Sequence, residues 1–309
     1  MIFIALLSLP VFSQTAPQPK PVELLRQKLE QISAGVSADW GIYIKSLDTG
    51  EEIEIKAGEA MDTMSAIKIP LLVDAYRLVD AGRIDPAARF TMQTADKRFG
   101  TGVLRTLNAG LNLSVHDALE LMIIQSDNTA TDMIFSRAGG PAHVNDTMHQ
   151  LGLNTIRATG TSFDWFRALA GAGDPAYEKF TPEELFTKGF PDKLTDAEVE
   201  RFHFEGKHPF GLSSARDMGR LLEMIATGKA ASAKSCKEML RIMGQQQMRT
   251  RIPRFMLDEV ETPHKTGDFP PYIANDVGLS RRHRRAWWWF FSRRTIAAIT
   301  ASWKTPSAE

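Results

Sequence analysis

Apolar residues change their spacing along the chain, and each change marks an element. An apolar run, broken by Ser8 and Pro10, extends from Ile2 to Phe12. Val22, Leu24, Leu25, Leu29 and Ile32 then recur at helical spacing and predict an amphipathic helix over residues 22–34. Residues 40–47 and 52–56 alternate around Asp48-Thr49-Gly50-Glu51, which predicts a β-hairpin. From Ser65 to Ala81 the period turns helical and stops at Gly82. Ser114, with Asp117 three residues on, opens a helix predicted to run to Arg137 and to end near Gly139-Gly140-Pro141. Ser214-Ala215-Arg216-Asp217 opens another by the same device, through Met218, Leu221, Leu222 and Ile225. Strand and turn signals return from Asp258 to Val277. Strands at both chain ends around a helical middle predict an α/β (α+β) fold. Its antiparallel sheet is built from both chain ends and flanked by helices, with an all-helical lobe inserted at about residues 70–212.

The opening apolar run is too short to span a bilayer. With small residues at Val11 and Ser13, residues 1–13 read as a signal peptide, and residues 14–21 (QTAPQPKP) as a linker. A secreted or periplasmic, monomeric protein without a transmembrane anchor is expected. The 309 residues are 43% hydrophobic and 24% charged, an ordinary globular composition. Lys+Arg and Asp+Glu are 37 each, so no global field argues for a nucleic-acid partner. The balance hides an asymmetry, because residues 280–309 hold seven Lys/Arg against one acid. Cys236 stands alone, which excludes an internal disulfide and a Cys-rich zinc site. No pattern calls for a metal or another cofactor.

Three short motifs carry candidate chemistry. Ser65-Ala66-Ile67-Lys68 puts a hydroxyl and an amine on one face of a helix start. A serine needs a base to become a nucleophile, and a lysine one turn away serves if burial lowers its pKa. Alone the motif is weak, since roughly one Ser-x-x-Lys is expected by chance in a chain this long. Its apolar flanks, Ile67, Ile69, Leu71 and Leu72, argue for a buried lysine, which is unusual. Ser126-Asp127-Asn128 follows the apolar stretch LELMIIQ. It offers a second hydroxyl and an amide, or else a capped corner between helices. Lys265-Thr266-Gly267, followed by Asp268, offers a cation and a hydroxyl for a carboxylate, on a strand whose glycine lets a ligand approach the backbone.

In this order the three motifs form the set found in class A β-lactamases and penicillin-binding proteins. The chain resembles the class A β-lactamase family more widely, over roughly residues 22–279. Similar stretches are the hairpin Tyr43–Ile55, Gly102-Val103-Leu104, Ser126-Asp127-Asn128-Thr129-Ala130, Ser213-Ser214-Ala215-Arg216-Asp217-Met218, Ile252-Pro253 and Asn275-Asp276-Val277. The resemblance implies a serine β-lactamase-like fold and a β-lactam-opening serine hydrolase with no cofactor. Ser65 would be the acylated nucleophile and Lys68 its base or proton relay. Ser126 would protonate the leaving nitrogen, and Asn128 would hold the substrate's side-chain amide. Lys265 and Thr266 would bind the carboxylate beside Gly267, and the N–H groups of Ser65 and Asp268 would hold the oxyanion. A D,D-peptidase acting on peptidoglycan stems, or a β-lactam-binding protein with negligible turnover, shares the same motifs.

Two stretches depart from the family. The Glu-x-x-Leu-Asn of its deacylating base is absent, and the segment between Ser126 and Ser213 is longer than usual. Counting back from Ser213 puts Glu198 near the place of that base, although Thr195-Asp196-Ala197-Glu198 also reads as a capping box. After Leu279 the chain continues SRRHRRAWWWFFSRRTIAAITASWKTPSAE, with four of the six tryptophans. We read no alternation there long enough to close a fold. Two expectations stand, an aberrant tail arising from a shifted reading frame that docks poorly on the sheet, or an interfacial membrane patch of basic and aromatic residues.

Overall fold

The computed structural model describes residues 20–191, 194–205, 208–257, 260–282 and 294–303. The segment expected to be a signal peptide and most of the expected linker lie outside them, as does the WWWFF run. The first predicted helix is α1 (Pro21–Ala34), with a proline in its first turn, where a missing N–H is harmless. Its apolar stripe does not bury, since Leu24, Leu25 and Ile32 stay exposed. The predicted hairpin is β1 (Ala38–Ser46) and β2 (Glu52–Ile55), followed by a short β3 (Ala60–Asp62).

A 3-10 turn at Met64–Ile67 leads into α2 (Lys68–Asp80). Ile69, Leu71, Leu72, Val73 and Ala75 are wholly buried, so this helix is central rather than amphipathic. The lobe continues with β4 (Arg89–Thr91), β5 (Asn112–Ser114), α3 (Val115–Ile124), α4 (Asn128–Ala138), α5 (Gly140–Gln150), β6 (Arg157–Ala158), α6 (Ser162–Gly173), α7 (Pro182–Lys188) and α8 (Asp196–Phe204). Two short ladders accompany its helices, β4 with β5 and β3-β7-β6, where β7 is Gly211–Ser214. The single helix expected from Ser114 to Arg137 is two. Ser126 adopts a left-handed φ of 56°, and Asp127 caps α4 by accepting a hydrogen bond from Ala130 N at 3.0 Å.

Helices α9 (Ala215–Ala226) and α10 (Ala233–Gly244) return the chain to the sheet. Gly219 of α9 lets the helix close on β1, because a Cβ there would lie 2.2 Å from Cδ1 of Tyr43. The remaining strands are β8 (Val260–Glu261), β9 (His264–Phe269), β10 (Ile273–Arg282) and β11 (Arg294–Trp303). The sheet runs β2-β1-β11-β10, with β8 and β9 sharing the far edge of β10, and all its pairings are antiparallel.

The expectation that the tail docks poorly on the sheet is therefore corrected. Residues 294–303 form a central strand, with Ile299 opposite Ile42 on one side and Asp276 on the other. Thr-Ile-Ala-Ala-Ile-Thr-Ala-Ser supplies β-branched residues among small ones, which suits a strand paired on both edges. The adjacent arginines and tryptophans mask that short signal. No described helix is long and apolar enough to cross a membrane.

Candidate active site

Ser65 sits in the 3-10 turn that feeds α2 and is half-buried. Met64 before it holds a left-handed φ of 43°, a conformation a non-glycine residue keeps only when its surroundings impose it. Here Met64 N donates to Asp62 Oδ1 at 2.8 Å. Burial pushes the Asp62 carboxyl up to about 7, against the pull of the backbone N–H groups around it.

Lys68, one turn on, is completely buried. Its Nζ lies 2.7 Å from Ser126 O, 2.8 Å from Asn128 Oδ1 and 3.1 Å from Ser126 Oγ. Burial, reinforced by the charge of Lys265, pushes Lys68 well below the ordinary lysine range, and Asp127 and Asp132 offset this in part. Two of its partners can only accept, whereas the hydroxyl can also donate. A neutral amine therefore satisfies all three contacts by donating twice and accepting once.

The left-handed turn at Ser126 makes this arrangement possible. Thr101 Oγ1 donates to Ser126 O at 2.7 Å, and Asn128 Nδ2 donates to Phe99 O at 2.8 Å, which fixes the amide so that its oxygen faces Lys68. The loop passes close at Gly102, where a Cβ would meet Asp127 Cγ at 2.2 Å, and Leu104 N donates to Asp127 Oδ2 at 2.8 Å.

Strand β9 brings the third motif against Ser65. A Cβ at Gly267 would lie 2.2 Å from Thr63 O and 3.0 Å from Ser65 N, so only glycine lets the strand seat on that turn. Lys265 is fully buried and donates to Thr266 O at 2.7 Å. Burial lowers Lys265 to about 7, against the raising influence of Asp268 and Asp276. Asp268 is paired with Arg251, and Arg251 Nη1 also donates to Asn275 O at 3.2 Å.

Ser65, Ser126, Asn128, Thr266 and Asp268 line one cavity of about 200 Å3, with Lys68 and Lys265 buried behind them. Glu198 does not join them. It is exposed at the start of α8, and its Oε2 accepts from Thr195 N and Oγ1 at 2.7 and 2.8 Å. Those bonds hold its carboxyl below the usual range, the opposite of a poised base. Among the described lining residues Asp268 is the one carboxylate, and one wall of the cavity is α6, with Trp165, Phe166 and Leu169. The sequence reading missed that wall, although Thr161 and Asp164 form a capping box at its start. It also missed Arg251, which stands beside the Ile252-Pro253 pair it did single out.

Known proteins are similar to this chain in sequence and in fold. The extended-spectrum beta-lactamase PER-1 of Pseudomonas aeruginosa is 25% identical over 153 residues, 48% of either chain. The chain spans about half the length of the curated relatives it matches. The crystal structure of a beta-lactamase from Sphaerobacter thermophilus DSM 20745 is 24% identical, with a TM-score of 0.68 over 92% of this chain and 88% of that one. The structure of PBP-A is 25% identical, with a TM-score of 0.68 over 93% of this chain and 90% of that one. The model of the beta-lactamase enzyme family matches residues 24–290, most of the chain. The chain belongs to the beta-lactamase enzyme family.

Proposed function

We propose that the chain opens β-lactam amides through an acyl-enzyme on Ser65. The observation that carries this reading is the buried Lys68, depressed in pKa and bonded to the Ser126-Asp127-Asn128 corner one helical turn from Ser65. Neutral Lys68 takes the proton of Ser65 Oγ as that oxygen attacks the lactam carbonyl. The N–H groups of Ser65 and Asp268, where β9 meets the nucleophile turn, hold the oxyanion. When the C–N bond breaks, Ser126 Oγ gives its proton to the ring nitrogen and recovers one from Lys68, 3.1 Å away. Lys265 and Thr266 bind the substrate carboxylate, and Asn128 receives the side-chain amide.

Water must then cleave the ester. The cavity's one described carboxylate, Asp268, is engaged with Arg251, and Glu198 does not line the cavity, so deacylation is the slow step. That observation also favours a second reading, a penicillin-binding or D,D-peptidase protein that acylates and holds its adduct. Under either reading the chain works outside the inner membrane, where β-lactams and peptidoglycan are met.

Mass spectrometry after incubation with benzylpenicillin should find one adduct per chain, absent from Ser65→Ala. An adduct unchanged in that variant sinks the assignment. Nitrocefin separates the two readings. A burst followed by slow steady turnover supports the hydrolase, and a burst of one equivalent that stops supports the binding protein.

A further inference from the structure

Asp62, three residues before the nucleophile, belongs to none of the three motifs. It closes β3, where it stands opposite Leu212 of β7. Its backbone and its side chain both tie down the turn that follows. Asp62 O accepts from Asn275 Nδ2 on β10 at 2.9 Å, and Thr63 N donates to Gly211 O at 2.9 Å. Asp62 Oδ1 accepts from Met64 N at 2.8 Å, beside the left-handed φ of 43°. Ser65 N follows directly, and the same turn seats against Gly267.

We propose that Asp62 is a positioning residue for Ser65: its carboxylate, by holding Met64 N, keeps the nucleophile turn in its left-handed form, and loss of its charge releases that turn. This rests on the reading of Ser65 as the acylated residue and adds to it a control by pH. An ionised carboxylate only accepts, and the groups that hold this one are donors, the N–H groups of Met64, Phe210 and Gly211. Protonation puts an O–H among those donors and removes the charge that strengthens each bond. Burial favours the protonated form and raises the group from 3.8 to about 7, so the two forms exchange near neutrality. No charged side chain takes part in that balance. The charged groups on the elements around it are engaged elsewhere or exposed. Lys68 donates to Ser126 and Asn128, and Lys265 to Thr266 O. Asp268 pairs with Arg251 and Asp276 with His264, while Arg157 of β6 is exposed.

Activity and stability then move in opposite directions. The folded pKa lies above the ordinary value, so the contribution of Asp62 to stability is full below 3.8 and is lost as pH rises through about 7. The charged form that places the turn accumulates over the same rise. A residue with a structural role alone would move both together.

Acylation of the full chain by benzylpenicillin methyl ester, followed by mass spectrometry from pH 5 to 9, tests this. The ester makes no demand on the charge of Lys265. Its rate should rise about tenfold, with a midpoint near 7. In Asp62→Asn that limb should vanish, with acylation at pH 8 about tenfold below wild type. Between pH 5 and pH 8 the Tm of wild type should fall by roughly 3 °C relative to the variant. A limb that persists in Asp62→Asn, a wild-type rate in that variant at pH 8, or a Tm difference that does not fall overturns the proposal. If the ester does not acylate wild type at any pH, the Ser65 reading fails instead. Asp62 is then decided by nuclear magnetic resonance of wild type, which also serves if Asp62→Asn does not fold. A Met64 amide shift that titrates with a midpoint near 7 upholds Asp62 as the residue that sets the turn, and a shift that is flat from pH 5 to 9 overturns it.

Discussion

Lys68 and Lys265 are two amines buried at one site, and their roles require opposite charge states. Lys68 must be neutral to take a proton, whereas Lys265 must be charged to bind a carboxylate. Burial depresses both, but Lys68 also feels the charge of Lys265, and Lys265 has Asp268 and Asp276 to support it. The signs follow. Lys68, pushed well below its ordinary range, gains its active neutral form as pH rises. Lys265, lowered to about 7, loses its active charged form as pH rises through that value. Acylation of the free protein by a carboxylated β-lactam should therefore fall above a pH of about 7. A neutral methyl ester of the same compound should lack that alkaline fall. Lys265→Ala should slow acylation by the acid roughly ten- to a hundredfold, the equivalent of one charge-assisted hydrogen bond worth ~1.5–3 kcal/mol, and should remove the alkaline fall. Measured pH–rate profiles that keep this limb with the ester, or in the variant, would refute the assignment.

At the scale of elements, the site exists because three segments meet with almost no spare room. Gly267→Ala tests that closeness, since its Cβ would lie 2.2 Å from Thr63 O, a backbone atom that cannot swing away. The strand would have to lift from the Ser65 turn. We expect a stability loss of ~1–3 kcal/mol by denaturant titration and a larger proportional loss of benzylpenicillin acylation. A variant that acylates normally would show that β9 need not seat on that turn. The Ser-x-x-Lys spacing is legible in sequence because a helical repeat alone puts both residues on one face. The break before α4 is less so, because LELMIIQSDN carries the apolar pattern straight on. What splits the helix is tertiary, since Ser126 O is held by Lys68 and Thr101 from elsewhere in the chain. The place of Glu198 off the cavity lining is of the same kind. Its capping box is local and legible, but counting residues through an insertion does not tell which helix faces the cavity.

At the scale of the whole molecule, the sheet joins the two chain ends, and β11 is the strand that does it. It pairs along its length with β1 and with β10, so among the described residues it is the element through which the N-terminal hairpin and the strands carrying Lys265 are held in a single sheet. The arginine- and tryptophan-rich residues before it suggest a tail that leaves a ragged edge, but β-pairing depends on the strand itself, and its eight-residue core is neither charged nor bulky. Thr300 lies at its centre, opposite Gly41 on one side and Asn275 on the other, and its Oγ1 donates to Gly41 O at 3.3 Å. Proline there would remove a ladder donor and clash in a strand that has no free edge. Thr300→Pro should cost ~3 kcal/mol or more and broaden or abolish the cooperative thermal transition. Thr300→Val keeps the branched shape and gives up the hydroxyl's long contacts with Gly41 O at 3.3 Å and Met61 Sδ at 3.2 Å, so it should cost ~1 kcal/mol. Both are read by circular-dichroism melts beside wild type. If Thr300→Pro melts within a degree or two of wild type, residues 294–303 are not part of the sheet in solution, and the tail is dispensable after all.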